Sequence, residues 1–443
     1  MEKSFLIARA KKGVGKSALL EWLYIKNFAI EDIFVVKARG SDLSRFNLPS
    51  LADSRKPNDK IYNWMSRISA VINRDIGRRI SFAFDDDDIS LVQTAEIDGF
   101  KERNLISALI ERFRKPIEKL GVADDKIKIS SDLEILARNK RRILLLIDDV
   151  DATFQNTPEE KLELATLFSA CRSLVSKVEG LTVRITIRAD VWPIVRKYDE
   201  SLDKVEQYIQ DIQWSESDFR RILAKRVKSS LKFDSSTRDI DILNSVFVND
   251  AIWDDKQQPL HRPIYTLSYK RPRWGIQLAK LGQKNALNDR KEKIDLKSVE
   301  DSLVNYGLKR IEDIVVEHQH QCSNVNEIIL SFRRAPKRFT NIELMDWIKN
   351  HISNHLSIVI DQVPTKDTID IAKFIYRIGF ILARIESKGE YQHLSYDEFP
   401  DFFSRHVDAG ASAVTWEIHP CYRQALDIQR VGEAKARSRD SRL

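Results

Sequence analysis

Cysteine is scarce in this sequence, and its pattern excludes several classes of protein. Cys171, Cys322 and Cys421 are isolated and odd in number in a chain of 443 residues. They make no disulfide framework and no zinc pairing, which suits a reducing, cytoplasmic setting. No stretch approaches the ~20 uninterrupted apolar residues of a membrane span. Met1-Glu2-Lys3-Ser4 runs straight into a short apolar segment, with no signal-peptide hydrophobic region and cleavage site. No internal repeat or low-complexity segment appears, and there is no nuclease, protease or NADase constellation. One-sided charge is absent too. Lys and Arg number 73 against 66 Asp and Glu, for a net charge of +7. That balance permits a nucleic-acid partner without requiring one. The length predicts two or three domains.

What is present begins almost at once. Phe5, Leu6, Ile7 and Ala8 form a short apolar run, and Ala10-Lys11-Lys12-Gly13-Val14-Gly15-Lys16-Ser17 follows. Ala18, Leu19, Leu20, Trp22 and Leu23 then recur at helical spacing. Strand, glycine loop and helix are the context that a phosphate-binding loop needs. Gly13 and Gly15 let backbone N–H groups face an anion, and the helix adds its positive end. Lys16 would reach the β- and γ-phosphates, and Ser17 would hold Mg²⁺. One residue departs from G-x-x-x-x-G-K-[ST]: Ala10 replaces the first glycine, at the end of the strand.

Further along, Ile33-Phe34-Val35-Val36 predicts a second buried strand, 41–60 a loop, and Ile61–Ile76 and Leu105–Leu120 helices. Asp85–Asp88 reads as a solvated acidic loop, since four adjacent carboxylates cannot all face one ion. The second landmark is Arg141-Arg142-Ile143-Leu144-Leu145-Leu146-Ile147-Asp148-Asp149-Val150-Asp151. Its apolar run predicts a central parallel strand buried on both faces, ending in carboxylates at the ligand crevice. Asp148 stands where a carboxylate orders the Mg²⁺ shell, and Asp149 where one polarises the attacking water. Leu162–Val178 predicts a helix. Val183-Arg184-Ile185-Thr186-Ile187-Arg188 predicts another strand, whose terminal Arg188 is a γ-phosphate sensor candidate. The plainer alternative is a surface ion pair between Arg188 and Asp190. Tyr208–Ile212 adds a short strand, and Ser215 with Asp218 reads as a capping box opening a helix at Glu216.

Beyond this point strand character fades. Residues 250–263 read as a loop. Lys270-Arg271-Pro272-Arg273-Trp274 precedes an apolar helix with Pro272 in its favoured place. Arg271 and Arg273 are expected beside the first turn, exposed. They would sense nucleotide, contact nucleic acid, or simply open a basic helix. Val299–Val316, Asn326–Phe332 and Ile371–Ile385 read as helices, with another capped at Thr340 or Asn341. His318-Gln319-His320-Gln321-Cys322 is too tightly spaced for a ligand pair on one helix face. Tyr391 through Pro420 reads as a short β element, so the order of helices and terminal hairpin suits a winged helix.

Ala10-x4-Gly15-Lys16-Ser17, Leu145-Leu146-Ile147-Asp148-Asp149-Val150-Asp151 and Ile185-Thr186-Ile187-Arg188 together resemble the nucleotide-site motifs of STAND and related AAA-like P-loop ATPases. The double Asp is similar to the STAND pattern, and Arg188 to the Arg closing the STAND sensor strand. Arg271-Pro272-Arg273 resembles the lid-domain sensor of the origin-recognition and STAND branches. Phe5–Arg9, Gly15–Leu20 and Arg188-Ala189-Asp190-Val191-Trp192 also resemble bacterial P-loop ATPases found in anti-phage defence loci. The likeness covers about residues 1–285. It implies an α/β, additional-strand (ASCE-type) P-loop NTPase core over 1–225. A helical lid over 226–290 would follow, then a mostly helical, winged-helix-like domain over 291–430 and a flexible basic tail over 431–443. It implies ATP and Mg²⁺ at Ala10, Lys11, Lys12, Gly13, Val14, Gly15, Lys16, Ser17 and Ala18, with Asp148 at the metal, Asp149 and Arg188 in catalysis, and Arg271 and Arg273 in the lid. The expected partners are further copies of the chain or an effector protein, with DNA as an alternative and no membrane. In an oligomer Arg141 or Arg142 could act across the interface. Relatives usually carry adenine-contacting residues upstream of the loop strand; here the adenine pocket is expected from elsewhere, and the base preference stays open.

Overall fold

In strand β1 (Phe5–Ala10), Phe5 and Ile7 are buried in one hydrophobic cluster while Leu6 and Ala8 turn to the other face. That alternation sets the architecture of the first part of the chain. The computed structural model describes residues 3–30, 33–43, 56–79, 142–178, 180–198, 202–253, 256–387, 390–406 and 414–428. The expected helix Leu105–Leu120, the run Asp85–Asp88, Arg141 and the tail 431–443 lie outside the described residues, as does most of the expected loop 41–60. The chain divides into two compact units, Met1–Gln213 and Trp214–Leu443.

The first unit is built on five parallel strands: β1, β2 (Ile33–Arg39), β3 (Arg142–Asp148), β4 (Leu181–Arg188) and β5 (Ile209–Asp211). Their spatial order is β2-β3-β4-β1-β5. Every residue of β3 from Ile143 to Asp148 is buried. Ile143, Leu145 and Ile147 pack with Leu164 and Phe168, while Leu144 and Leu146 pack with Leu20 and Val35 on the other face. A strand covered on both sides reads as an unbroken apolar run. Strand β4 lies between the loop strand β1 and the acid-ending strand β3, which makes the core an additional-strand P-loop NTPase fold.

Helix α1 (Lys16–Phe28) follows the glycine loop, and α2 (Pro57–Arg79) and α3 (Pro158–Lys177) flank the sheet. Helix α3 starts four residues before the expected Leu162. Thr157 and Glu160 form a capping box, and Pro158 occupies the first turn.

The second unit opens with α4 (Glu216–Ser230), capped by Ser215 and Asp218 as expected. Phe219, Leu223 and Ala224 of α4 belong to one hydrophobic cluster that continues as far as Leu426. The lid and C-terminal segments therefore share a core. A hairpin of strands Ala251–Trp253 and Lys256–Gln258 occupies the stretch expected as loop. Helices α5 (His261–Leu267), α6 (Pro272–Asn288), α7 (Leu303–His318) and α8 (Val325–Leu330) follow.

Strand β6 (Arg338–Thr340) leads into α9 (Asn341–Ile348), with Thr340 as its cap. Helix α10 (Thr368–Arg377) precedes β7 (Ile381–Ser387), β8 (Glu390–Leu394) and β9 (Thr415–Ile418). The single helix expected over 371–385 is corrected here. Phe380 N–H closes the helix onto the Ile375 carbonyl, Gly379 takes φ 78°, and the chain continues as a strand. A hairpin of Ile358–Ile360 and Val363–Thr365 lies between α9 and α10, so the order α8-β6-α9-hairpin-α10-β7-β8 is similar to that of a winged helix with an added hairpin. Strand β9 is inserted between β6 and β7, giving an antiparallel sheet β8-β7-β9-β6. Among the described residues no helix is long and apolar enough to cross a membrane.

Candidate functional site

Parallel pairing brings the C-terminal ends of three strands together. Ala10 pairs with Arg188, and Ile147 with Ile185, so the glycine loop, Arg188 and Asp148 lie along one edge of the sheet. Ala10 is buried and its backbone needs no positive φ, so alanine serves there as well as glycine. Gly13 and Gly15 do need it, at φ 82° and 116°. Gly15 precedes α1, no side chain caps that helix, and its first turn has no acid. A Cβ built on Gly15 would meet nothing within 4 Å, so the space beside the loop is open. An uncapped helix start beside open space fits an anion.

Val14 is buried and Lys11 and Gly13 are half-buried, whereas Lys12, Ser17 and Ala18 are exposed. Lys16 Nζ donates to the Ala10 carbonyl at 3.1 Å. Burial lowers its pKa, opposed by the charges of Asp151, Asp190 and Asp148.

Asp148 is buried, and its Oδ1 accepts from the Thr186 hydroxyl at 2.5 Å. Asp149 is exposed and left-handed at φ 52°, a conformation Asp tolerates better than most residues. Asp151, 3% exposed, accepts the backbone N–H of Arg188 on Oδ2 at 2.7 Å. Burial raises the Asp151 pKa, against that hydrogen bond and the charges of Arg188 and Lys16. Arg188 Nε donates to Asp190 Oδ1 at 3.2 Å, and Nη2 bonds Oδ2. With side-chain exposures of 17% and 12%, this pair is half-buried rather than a surface contact.

Thr186 and Asp151 thus join the site without having been assigned a role from sequence, while the pairing of Asp190 with Arg188 was the plainer alternative read there and is present in half-buried form. A faint signal existed. Thr186 sits two residues before Arg188 and so shares its face of the strand, and Asp151 closes the Asp-Asp-Val-Asp run. Among the described residues no group of three or more His, Cys, Asp and Glu could hold a metal ion. Mg²⁺ at Ser17 and Asp148 would need phosphate and water oxygens to complete its shell, which is how that ion is ordinarily bound beside nucleotides.

The lid candidates divide. Arg271, expected to be exposed, is 3% exposed. Its guanidinium donates to both oxygens of Glu317, at 2.9 and 3.2 Å, and lies 4.0 Å from the Trp274 ring centre. A bidentate buried ion pair with an aromatic stack is not available to swing onto an anion. Arg273 is exposed on the first turn of α6.

Residues 217–315 match the family model of the FunZ-associated C-terminal helical domain. No curated protein matches the chain. Among solved structures it is similar to the ORC2 protein of Aeropyrum pernix in its ADPNP-ADP complexes, with 12% identity and a TM-score of 0.46 over 95% of this chain and 85% of that one. The ADP form of the same protein gives 11% identity and a TM-score of 0.36 over 99% and 87%. The Drosophila ORC bound to DNA gives 8% and 0.31 over 94% and 86%.

Proposed function

We propose that the chain is a Mg²⁺-dependent ATPase of the STAND/AAA-like class that uses its nucleotide state as a conformational switch. The observation that carries this reading is the strand order, which sets the glycine loop beside Arg188 with Asp148 one strand further on. The loop amides and Lys16 hold the phosphates, and Lys16 exchanges the Ala10 carbonyl for them. Ser17 and Asp148 would hold Mg²⁺, which supplies neutralisation of phosphate charge. Thr186 keeps Asp148 oriented. Asp149 positions the attacking water, and Arg188 reaches the γ-phosphate by leaving Asp190. Arg273 relays the nucleotide state to the helical unit, an ordering change of the kind that γ-phosphate contacts drive. A self-assembling or effector-coupled role in anti-phage defence, in the cytoplasm, rests on family likeness. Turnover by purified protein should be lost in both Lys16→Ala and Asp148→Ala; unchanged turnover in both sinks the assignment.

One observation favours a second reading, a nucleotide-binding scaffold with little turnover. Both Lys16 and Arg188 are engaged by the protein itself, at Ala10 and Asp190. Tight ATP binding without hydrolysis, together with a co-purifying partner, would select it. The DNA loader reading gains less from α10. Asp367 and Asp370 are exposed at its start, Lys373 is half-buried, and Arg377 is paired with Asp361 at 2.7 Å.

A further inference from the structure

A cation that belongs to none of the nucleotide-site motifs stands at the same edge of the sheet. Arg39 is the last residue of β2, is exposed, and pairs in register with Asp148 of β3. Along β2, Phe34, Val36 and Ala38 enter the hydrophobic cluster on one face. Ile33 and Val35 pack with Leu20, Leu23 and Tyr24 of α1 on the other. Arg39 therefore lies on the α1 face, two residues beyond Lys37. On β3, Leu144 and Leu146 share that face, so Asp148 does too. On β4, Val183, Ile185 and Ile187 occupy the opposite face, which leaves Thr186 and Arg188 on the side of Asp148. Arg188, Thr186, Asp148 and Arg39 thus share one face across the ends of three neighbouring strands.

Lys37 sets the height of Arg39 against α1. Its Nζ bonds Glu21 Oε2 and lies 5.6 Å from the Tyr24 ring centre. From Lys37 to Arg39 the strand climbs about 6.6 Å toward the C-terminal edge of the sheet. From Glu21 back to Ser17, α1 climbs about 6 Å the same way. Arg39 consequently faces Ser17 as Lys37 faces Glu21. Ser17 is the proposed Mg²⁺ residue, so Arg39 stands on the outer flank of the place where phosphate oxygens belong. Its backbone N–H donates to Asp42 Oδ2 at 2.8 Å, which fixes the strand end. Its side chain has no hydrogen bond, ion pair or ring contact among the described residues. Lys16 and Arg188 must leave the Ala10 carbonyl and Asp190 before they meet a phosphate, whereas Arg39 has no such partner to give up.

We propose, resting on the ATPase reading above, that Arg39 is a further catalytic residue whose guanidinium contacts the γ-phosphate of ATP bound in the same chain. A fork of N–H donors matches terminal phosphate oxygens and stabilises the charge they carry in the transition state. ADP lacks that phosphate, so the contact also discriminates ATP from ADP. Gly40, the next residue, lies against the backbone of the Asp149 turn. Arg39 is thereby held beside the residue proposed to position the attacking water.

The test uses the full chain and two readouts, ATP turnover and isothermal titration with ADP and a non-hydrolysable ATP analogue. Arg39→Ala should lower kcat at least about tenfold. It should weaken binding of the ATP analogue about tenfold and leave ADP affinity unchanged. Arg39→Lys keeps the charge without the fork and should recover part of both losses. Because the side chain is exposed, thermal melts followed by circular dichroism should match wild type for both variants. An unchanged preference for the ATP analogue over ADP in Arg39→Ala overturns the proposal, whether or not wild type turns ATP over. Turnover kept in Arg39→Ala but lost in Lys16→Ala and Asp148→Ala overturns it while leaving the ATPase reading intact. Turnover unchanged in all three overturns both. Mixing Arg39→Ala with Lys16→Ala should restore nothing. Restored turnover would mean that Arg39 acts on nucleotide held by another copy, which overturns the same-chain assignment.

Discussion

The backbone N–H of Arg188 donates to Asp151 Oδ2 at 2.7 Å, tying the end of β4 to the acidic turn after β3. The bond fixes the backbone of the sensor candidate from a neighbouring strand. Asp151→Asn keeps an acceptor oxygen and sheds a desolvated charge. Asp151→Ala leaves a buried N–H without a partner, at a cost of about 1–3 kcal/mol. Urea unfolding should rank Asn well above Ala. Equal stability of the two variants would show that the bond does not hold the strand end.

Asp190 holds Arg188 by two contacts. If Arg188 meets a γ-phosphate in the proposed mechanism, it must first give up that carboxylate, and the lost pair subtracts from ATP affinity. Asp190→Ala should therefore raise the preference for ATP over ADP about tenfold, the equivalent of ~1.4 kcal/mol. Isothermal titration with both nucleotides reads this directly. A preference that falls or stays constant means that Asp190 orients Arg188 rather than restraining it.

Local signals carried much of the fold. The run Ile143–Ile147 announced a strand buried on both faces, and Ser215 with Asp218 announced the start of α4, because each depends on neighbours in sequence. Partners distant in the chain left no such trace. Arg271 looked exposed because Lys270-Arg271-Pro272-Arg273 is basic and opens a helix. Its actual environment is set by Glu317, 46 residues away. The apolar content of 371–385 likewise fits a helix or a strand, and only the turn at Gly379 separates α10 from β7. At the site, Lys16, Asp148 and Arg188 were legible from strand-end positions. Asp190 was legible only as a surface partner of Arg188, and Thr186 not at all, because a hydroxyl near a strand end acquires meaning only once its partner is placed.

Gly40 follows β2 and lies against the turn after β3. A Cβ there would come within 2.8 Å of Val150 Cα and 2.9 Å of the Asp149 carbonyl, both backbone atoms. Backbone cannot step aside as a side-chain tip can, so Gly40→Ala must displace the Asp149 turn. Overpacking of this kind costs about 1–3 kcal/mol. Turnover, measured well below the melting temperature, should drop further than the folded fraction does, since Asp149 itself moves. A melting temperature and turnover both equal to wild type would mean that the two turns are not in contact in solution.

His261 in α5 is 3% exposed, with Nε2 3.1 Å from Glu216 Oε1. Burial lowers its pKa below the ordinary value of 6.5, and the contact with Glu216 only partly offsets this. In the pH range just below 6.5 the unfolded chain therefore binds a proton that the folded chain resists. More protons bound by the unfolded state means that stability rises with pH, so folding is weakened as pH falls through this window. The slope from one such group is at most ~1.4 kcal/mol per pH unit. His261→Gln removes the titrating ring while keeping a group able to hydrogen-bond Glu216. Its urea midpoint should change less between pH 7.5 and 5.5 than that of wild type. A pH dependence identical to wild type would show that His261 takes up its proton equally in both states, and that the acid sensitivity of this unit arises elsewhere.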